Sequence, residues 1–594
     1  MEKKRSAMDL LKLIFSVIGV ITCLFLAVLL FILVIGNTKG PRIYNKTVLE
    51  IDFERGLTET VPDAMIYRFT GGEQLQIRSV VNAIDAASKD KRIKGIIGHI
   101  AGGPLHYADV QEIRDAVIRF RRSGKLAFAF AESFGEAAAG NSGYYLASAF
   151  DSVFMQPSGA LGLTGFLSIS PFFKGTLDKL GITPQLGARE QYKTARNQFT
   201  ETEYTEAHRQ MSQEIINSVL NRFAADLASA RKIKEEDLRN LISSGPFNAT
   251  DALKNSLVDA LEYRDQVIER IRQKFGKGTR FLYLSKYLQR LRPRPARGKS
   301  AALIYGDGSI VQGRSKYNPV SGETVMGAKT ISAAFRAAVR DKSVGVIIFR
   351  VNSPGGSHIA SDMIWRETVL ARKAGKPVIV TMGAVAGSGG YFVAMDADRI
   401  IANPSTITGS IGVVSGKFVT KGLNNKLGIT TSHVTTSPNA TLWSSTTEFT
   451  DEQWKYIQQS LDTIYHDFVS KVAAGRKLPV EKVQELAKGR IYTGEQALKL
   501  GLVDTLGGFY EAFASAKKIL GIPEERPLLV KRFPKRPTFK DKLFGKGPDS
   551  SEDIQISIGE EVSFSNSLFF KLQKLTAMLS EEPGFLKMEV PDFY

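Results

Sequence analysis

The second half of the chain contains the stretch Val344-Gly345-Val346-Ile347-Ile348-Phe349-Arg350-Val351-Asn352-Ser353-Pro354-Gly355-Gly356. Its first eight residues are mostly apolar, which is typical of a strand buried on both faces, and its last five predict a turn. Helical patterns lie on either side, at Ile331–Arg340 and up to about Ala374, and further strands are predicted at Ala301–Tyr305 and Pro377–Met382. Strands that alternate with helices predict βαβ crossovers and a largely parallel α/β core.

This α/β pattern occurs twice, because the chain contains an internal repeat. Leu180–Thr183 recurs as Leu427–Thr430 at an offset of 247 residues, and Leu257–Leu261 resembles Leu502–Leu506 at an offset of 245. Two further pairs share the longer offset: Pro157-Ser158 with Pro404-Ser405, and Gly143-Tyr144 with Gly390-Tyr391. A period of this length indicates an ancient duplication, with small drifts where loops have gained or lost residues.

The repeat divides the chain into predicted units, since 594 residues exceed what one hydrophobic core usually holds. We expect an N-terminal repeat at residues 37–289 and a C-terminal repeat at 300–523. The proline- and arginine-rich residues 290–299 are expected to link them. Residues 524–594 are expected to form a basic, partly flexible tail.

An uncharged run covers the 24 residues 13–36. As a helix it would be ~36 Å long, which is enough to cross a bilayer. A cleaved signal peptide would have a shorter apolar region and a small-residue cleavage site, which Asn37–Pro41 does not provide. We therefore expect one transmembrane helix after a cytoplasmic head at residues 1–12. Flanking charges do not fix its orientation, but the short head favours the N-terminus inside.

The composition excludes several classes of function. A net charge of +19 could attract nucleic acid, anionic lipid or acidic substrates, but zinc-ligand spacing and basic recognition helices are lacking, so nucleic-acid binding is not expected. The single cysteine, Cys23, rules out an internal disulfide and a thiolate metal cluster. Neither a metal nor an organic cofactor is expected.

Two glycine-containing segments could carry acyl-transfer chemistry. The Gly355-Gly356 turn after a strand can present backbone N–H groups to an oxyanion, although an ordinary strand-to-helix turn would look the same. Ser410 lies in Thr408-Gly409-Ser410-Ile411-Gly412, where flanking glycines permit a sharp turn with an accessible hydroxyl and the N–H of Ile411 as a second donor. Small residues packed in a turn would explain this segment equally well.

Taken together, three motifs resemble the signal peptide peptidase A family, which comprises bacterial and plastid peptidases of the Clp/crotonase fold. They are Asn352-Ser353-Pro354-Gly355-Gly356, Ala386-Gly387-Ser388-Gly389-Gly390-Tyr391 and Gly409-Ser410-Ile411-Gly412. The resemblance covers nearly the whole chain and matches the long, duplicated form. It implies two tandem Clp/crotonase-like domains and a serine endopeptidase that cleaves signal peptides and other membrane-associated peptides.

The resemblance also implies site residues. Ser410 would be the nucleophile, and Lys193, in Glu190-Gln191-Tyr192-Lys193-Thr194-Ala195, would be the general base. Ser432 would orient the lysine, with Ser437 close by. An acidic residue that often follows the lysine motif is missing from Arg196–Phe199. The family further implies a homotetramer at the inner membrane, with its peptidase domains on the extracytoplasmic side.

The duplication supports one composite site. At the offset of 247, Ser410 corresponds to Leu163 and Lys193 corresponds to Ala440, so each half lacks the group that the other keeps. A free lysine has a pKa of about 10.4, so Lys193 must be desolvated, at the contact between the halves, to act as a base.

Other interpretations stay open at this point. His433 follows Ser410 by 23 residues and could act as its base instead of Lys193. The chain could also be a non-catalytic membrane scaffold of the same fold. An esterase or thioesterase is a third possibility.

Overall fold

The computed structural model describes residues 15–25, 28, 42–60, 74–100, 105–291, 298–318, 323–534, 555–556, 585–587 and 592–593. Within these ranges the first half of the chain forms one parallel sheet and the second half forms another. The two sheets, with the helices packed on them, enclose separate apolar cores. This arrangement confirms a mixed α/β fold with a parallel sheet in each half.

The strands of the first half are β1 (Thr47–Asp52), β2 (Leu57–Thr58), β3 (Leu75–Gln76), β4 (Ile93–His99), β5 (Leu126–Ala131), β6 (Ser152–Met155), β7 (Ala160–Leu161), β8 (Ser168–Ile169), β9 (Thr183–Arg189), β10 (Phe247–Asn248), β11 (Ala260–Leu261) and β12 (Arg280–Tyr283). Six of them form a sheet of order β11-β6-β5-β4-β1-β12, and every pairing in it is parallel. Helices lie between successive strands β1, β4, β5 and β6 in the chain, as βαβ units require.

The strands of the second half are β13 (Ser300–Asp307), β14 (Ser309–Val311), β15 (Lys316–Tyr317), β16 (Thr324–Gly327), β17 (Val344–Ser353), β18 (Gly355–Ser357), β19 (Val378–Gly387), β20 (Arg399–Ala402), β21 (Ile407–Gly409), β22 (Val413–Val419), β23 (Ile491–Thr493), β24 (Thr505–Leu506), β25 (Val530–Phe533), β26 (Gln555–Ile556), β27 (Phe585–Lys587) and β28 (Asp592–Phe593). The sheet contains the parallel order β24-β20-β19-β17-β13-β25, which repeats the first sheet strand for strand. The matching order is the structural record of the duplication.

The helices are α1 (Ile77–Lys89), α2 (Tyr107–Arg122), α3 (Asn141–Ala147), α4 (Lys174–Leu180), α5 (Asn197–Thr200), α6 (Glu206–Arg231), α7 (Glu235–Ser244), α8 (Ala249–Lys254), α9 (Arg264–Phe275), α10 (Leu284–Leu288), α11 (Ala328–Arg340), α12 (His358–Lys373), α13 (Gly389–Phe392), α14 (Lys421–Lys426), α15 (Asp451–Arg476), α16 (Val480–Leu486), α17 (Gly494–Lys499) and α18 (Phe509–Leu520). Short 3₁₀ turns cover Phe53–Arg55, Thr194–Arg196 and Pro438–Thr441. The two longest helices, α6 and α15, have 26 residues each and occupy repeat-related positions.

The predicted helices and strands of the second half all form, but several of their ends differ. The turn predicted at Asn352–Gly356 is wrong, because β17 continues to Ser353 and β18 begins at Gly355. Strand β19 continues past the predicted end at Met382 to Gly387. Strand β25 lies beyond residue 523, where only a tail was expected, and pairs with β13. The side chain of Lys531 in β25 forms an ion pair of 2.8 Å with Asp341, which shows why a lysine- and arginine-rich strand can form a sheet edge.

Several predicted segments lie largely outside the described residues. They are the head at 1–12, most of the linker at 290–299 and most of the tail beyond 534. Of the uncharged run at 13–36, residues 15–25 and 28 are described and are helical and exposed. Across the described ranges, none of the helices combines the length and the hydropathy that a membrane crossing requires.

The two halves are joined by a shared pair of strands. Strand β9 of the first half pairs antiparallel with β22 of the second half over seven residues, from Thr183 opposite Val419 to Arg189 opposite Val413. A buried ion-pair cluster supports the joint, because Arg350 of β17 contacts Glu59 and Glu112 of the first half. The joint therefore combines backbone pairing with a specific buried charge contact.

Candidate active site

The joint between β9 and β22 positions the two principal residues predicted from the sequence. Ser410 lies three residues before β22, and Lys193 lies four residues after β9. Because the two strands run antiparallel and Val413 stands opposite Arg189, the segment before one strand lies beside the segment after the other. The serine and the lysine are thus brought together by strands from different halves.

The lysine amine lies within hydrogen-bonding distance of the serine hydroxyl. Lys193 Nζ is 2.9 Å from Ser410 Oγ, 3.1 Å from the Ser410 carbonyl oxygen and 2.8 Å from Ser388 Oγ. Lys193 is only 2% exposed. Burial lowers the pKa of Lys193 to about 7, since the ammonium form loses its hydration and no carboxylate is among these partners.

Ser410 is held in a tight turn at the carboxyl edge of the second sheet. It has φ of 52° and follows Gly409, whose φ is 81°. The Ser410 N–H donates to the Arg490 carbonyl at 2.7 Å, and the Gly409 carbonyl accepts from the Ser388 N–H at 2.8 Å. A positive φ is unusual for serine, so the surrounding hydrogen bonds fix this conformation.

The Gly355-Gly356 segment lies at the same edge of the sheet. Strands β17, β19 and β21 are parallel neighbours, with Ser353 opposite Ala386 and Gly387 opposite Gly409. The glycine pair, Ser388 and Ser410 each follow one of these strand ends. A Cβ on Gly356 would lie 2.1 Å from the Ile310 carbonyl oxygen, so only glycine fits there without displacing the backbone.

Known proteins resemble both halves of this chain in sequence. The sequence profile of Peptidase family S49 matches residues 122–277 and 370–522, one block in each half. Protease 4 of Salmonella typhi is 32% identical over 452 residues, which covers 74% of this chain and 71% of that protein.

The chain belongs to Peptidase family S49.

Two other S49-type relatives extend the comparison. The chloroplastic serine protease SPPA of Arabidopsis thaliana is 30% identical over 471 residues, covering 78% of this chain and 68% of that protein. A putative signal peptide peptidase SppA of Enterococcus faecium is 38% identical over 178 residues, covering 30% of this chain and 52% of that protein. This S49 protein is accordingly a hydrolase, a serine-type peptidase.

The structure of the S49 peptidase does not bring Ser432 or His433 to the lysine. Ser432, His433 and Ser437 all lie in the exposed stretch 429–440, whereas Lys193 is buried. The serine that contacts the lysine amine is Ser388. Ser432 was expected there because it lies in the right region of the sequence after Ser410, but that region forms an exposed loop.

Sequence reasoning missed the contribution of Ser388, although a signal was present. Ser388 stands between two glycines in Ala386–Tyr391, as Ser410 does in its own motif, and both serines have φ of 52°. Ser388 is completely buried and precedes α13. Two glycine-flanked serines at neighbouring strand ends could have indicated a paired arrangement.

A second missed feature is the turn at Lys488–Arg490, which holds both principal residues through its backbone. The Tyr192 N–H donates to the Lys488 carbonyl at 3.1 Å, and the Gly489 N–H donates to the Ile411 carbonyl at 2.9 Å. A Cβ on Gly489 would lie 2.5 Å from the backbone nitrogen of Lys193, so the two backbones approach closely at this position. These backbone contacts of the turn therefore help to set the distance between Lys193 and Ser410.

The repeat-related positions hold no such arrangement in this S49 peptidase. Leu163, which corresponds to Ser410, is completely buried in the apolar core of the first half. Ala440, which corresponds to Lys193, lies in the exposed stretch 429–440. The two halves therefore contribute different parts to the joint between them.

Proposed function

We propose that this S49 peptidase is a membrane-anchored endopeptidase that hydrolyses peptide bonds with a Ser410–Lys193 dyad. The observation that carries the proposal is the distance of 2.9 Å between Lys193 Nζ and Ser410 Oγ in a buried setting. A neutral amine has one lone pair and two N–H groups. The lone pair can accept from Ser410 Oγ, while the N–H groups donate to the Ser410 carbonyl and to Ser388 Oγ.

The reaction begins when Lys193 takes the proton of the Ser410 hydroxyl. The serine oxygen forms a bond to the substrate carbonyl carbon, and backbone N–H groups of Gly355, Gly356 and Ile411 are the proposed donors to the oxyanion. In this structure the Gly355 N–H donates to Ser353 Oγ at 3.2 Å, a partner that it would exchange for the oxyanion. Lys193 then protonates the leaving amine as the peptide C–N bond breaks, which leaves an acyl-enzyme. Lys193 next deprotonates a water molecule, whose attack releases the acid and regenerates Ser410.

Ser388 is proposed as a positioning residue, not as a reacting group. Its hydroxyl lies 2.8 Å from Lys193 Nζ and restricts where the amine can point. It takes the part that the sequence assigned to Ser432.

The proposed substrates are signal peptides and other membrane-associated peptides. Support comes from the Enterococcus faecium relative, which is described as a putative signal peptide peptidase. The uncharged run at 13–36 is proposed as a single-pass anchor in the inner membrane, with the peptidase halves on the extracytoplasmic side. An anchor of this kind would hold the site close to membrane-associated peptides.

Self-association into a homotetramer is proposed because the second half contains a repeat equivalent of β9 that does not form the corresponding strand pair. Residues 430–436 are the repeat equivalents of β9, yet they are exposed, and Leu427, Ile429 and Val434 nearby are 66%, 50% and 101% exposed. A second copy of the chain is the partner that would present the complementary half. Val434→Asp should lower the oligomer mass in light scattering, and an unchanged mass would contradict this interface.

The proposed function is tested by labelling with a fluorophosphonate probe and by a signal-peptide cleavage assay on the same variants. Ser410 should be labelled in the wild type and not in Lys193→Ala, whereas His433→Ala should be labelled and active. Loss of activity in His433→Ala with activity retained in Lys193→Ala would refute the dyad. Labelling with ester turnover but no peptide cleavage would indicate an esterase, and absent labelling in folded protein would indicate a scaffold.

A further inference from the structure

The amino edge of the first sheet, where its parallel strands begin, carries a group of positive charges. The Thr47 N–H at the start of β1 donates to the Arg92 carbonyl before β4 at 2.9 Å, and the Arg280 N–H at the start of β12 donates to the Lys46 carbonyl at 3.2 Å. The residues that begin or precede these strands are therefore close neighbours. The exposed cations among them are Arg42, Lys46, Lys91, Lys94, Lys277 and Arg280.

These six cations, which we call the basic edge, lack acidic partners. Within the described ranges none of the six has a carboxylate at ion-pair distance, and the nearby Asp90 is already paired with Arg92 at 2.7 Å. The Arg42 and Arg280 guanidinium groups lie 5.4 and 4.5 Å from the ring centre of Tyr44, which is 42% exposed. An exposed aromatic ring among cations is suited to the polar boundary of a bilayer.

A surface cavity of about 470 Å³ lies at the same edge. Its lining combines Lys91, Lys94 and Lys125 with the apolar side chains of Leu126 and Phe275. Two N–H groups of the Lys125 ammonium donate to backbone carbonyls, which leaves the third for a ligand. Burial and the charge of Lys94 lower the pKa of Lys125, although Asp90 acts in the opposite direction, so a bound anion would relieve the repulsion between these lysines. The lining suits a molecule with both a phosphate and a hydrocarbon part.

The length of the chain keeps the basic edge near the proposed anchor. The uncharged run ends at residue 36, and β1 begins eleven residues later at Thr47. Because an extended residue spans at most ~3.6 Å, the start of β1 lies no farther than ~40 Å from the end of the anchor. The opposite edge of the same sheet carries the exposed carboxylates of Glu54 and Glu132 beside His99. The two edges of the sheet therefore differ in the sign of their charge, and the positive edge is the one next to the anchor.

We propose that the basic edge is a docking surface for the anionic headgroups of membrane phospholipids. This inference rests on the proposed function, since it takes residues 13–36 to be the membrane anchor. The anchor makes each headgroup contact an intramolecular event, and at physiological ionic strength the attraction between exposed charges extends over about 8 Å. Docking holds the first half in one orientation, with its acidic edge away from the bilayer.

The test uses the full-length chain in vesicles of phosphatidylcholine, with and without phosphatidylglycerol. An environment-sensitive NBD dye is attached to Gln273→Cys, in the last turn of α9 beside the cavity, in a Cys23→Ser background. The charge-removal variant is Lys91→Gln/Lys94→Gln/Lys277→Gln. Its matched control, Lys329→Gln/Lys421→Gln/Lys455→Gln, removes three exposed lysines from the second half.

For the labelled protein with all its lysines, the dye emission should shift to shorter wavelength in phosphatidylglycerol vesicles relative to phosphatidylcholine vesicles. This shift should disappear in about 1 M NaCl, where the screening length falls to about 3 Å. The control should behave in the same way, whereas the charge-removal variant should show no shift. A shift that is absent before any lysine is changed, that survives the salt or that persists in the charge-removal variant would overturn the inference.

Flotation of the vesicles separates this inference from the proposed function. Protein that does not float with phosphatidylcholine vesicles refutes the proposed anchor. Protein that floats with them but gives no shift with phosphatidylglycerol refutes only the docking surface.

Discussion

The two halves of the molecule have the same sheet order, but they differ at one pair of repeat-related positions, which follow β21 in the second half and β7 in the first. In the second half a tight turn presents Ser410, whereas the first half places Leu163 in its apolar core. The strand β9 of the first half leads into Lys193, whereas its copy in the second half is an exposed loop. The comparison teaches that one serine–lysine contact is divided between two repeats, so the chemistry proposed for it depends on how the repeats pack.

The largest effect is expected at the shared site itself. Lys193→Met keeps a side chain of similar length but removes the amine, and it should lower kcat for peptide cleavage by about 10⁴-fold, as loss of an essential base does in other serine hydrolases. His433→Ala, in the exposed loop, should leave kcat within about twofold of the wild type. If the Lys193→Met enzyme retained a tenth of the activity, Lys193 would not be the essential base, and the proposed catalytic role of the first half would be wrong.

The next effect concerns the contact between the halves. Arg350 is 1% exposed and contacts Glu59 and Glu112 of the other half, so Arg350→Met leaves buried carboxylates without their partner. We expect the free energy of unfolding to fall by about 3–5 kcal/mol, measured by urea denaturation. Arg336→Met breaks a pair with Glu367 in which the arginine is 51% exposed, and should cost at most about 1 kcal/mol. Equal losses would mean that the buried pair does not hold the halves together.

A smaller effect is expected from the serine that contacts the lysine. Ser388→Ala should lower kcat by about 10- to 100-fold, while Ser432→Ala should have no effect. The hydroxyl of Ser388 accepts a hydrogen bond from Nζ and favours the ammonium form, so its loss should also move the acid limb of the pH profile to lower pH. A larger loss in Ser432→Ala than in Ser388→Ala would restore the assignment made from the sequence.

The smallest effect on activity is expected from restoring a serine in the first half. Leu163→Ser should give no second nucleophile, because the position lies in the core and its lysine counterpart is Ala440. Mass spectrometry after fluorophosphonate treatment should still find one label per chain. Two labels would show that the halves are more alike than their structures indicate.

Much of the fold could be predicted from the sequence because it depends on local patterns. The apolar run at Val344–Val351 formed a strand as expected, and the repeat predicted a second α/β unit, whose sheet has the same order. The turn predicted after that run is instead the end of β17 and the short strand β18. The edge strand β25 was missed because its lysine and arginine side chains resemble a solvated tail, although Lys531 pairs with Asp341. The composition of the tail could not show this pairing, because Asp341 lies far from β25 in the chain.

In the candidate site, too, residues in local motifs could be predicted, whereas those defined by long-range contacts could not. Ser410 and Lys193 could be named because each lies in a recognisable motif, and the structure brings their side chains together. Ser388 was missed although glycines flank it as they flank Ser410, and its partner lies far away in the chain. The turn at Lys488–Arg490 could not be assigned, since its contacts also join residues that are far apart in the chain. Arg350 was counted as part of a buried strand, and the carboxylates that neutralise it come from the other half.

The central claim is that Ser410 of one half is activated by Lys193 of the other. It is tested most directly by the rate of Ser410 acylation as a function of pH, in the wild type and in His433→Ala. Because burial lowers the pKa of Lys193 to about 7 and only the neutral amine is a base, both proteins should show a rate that rises as the pH passes 7 and then levels off. A rate that does not change between pH 5 and pH 9, or a rise that disappears in His433→Ala, would contradict the account.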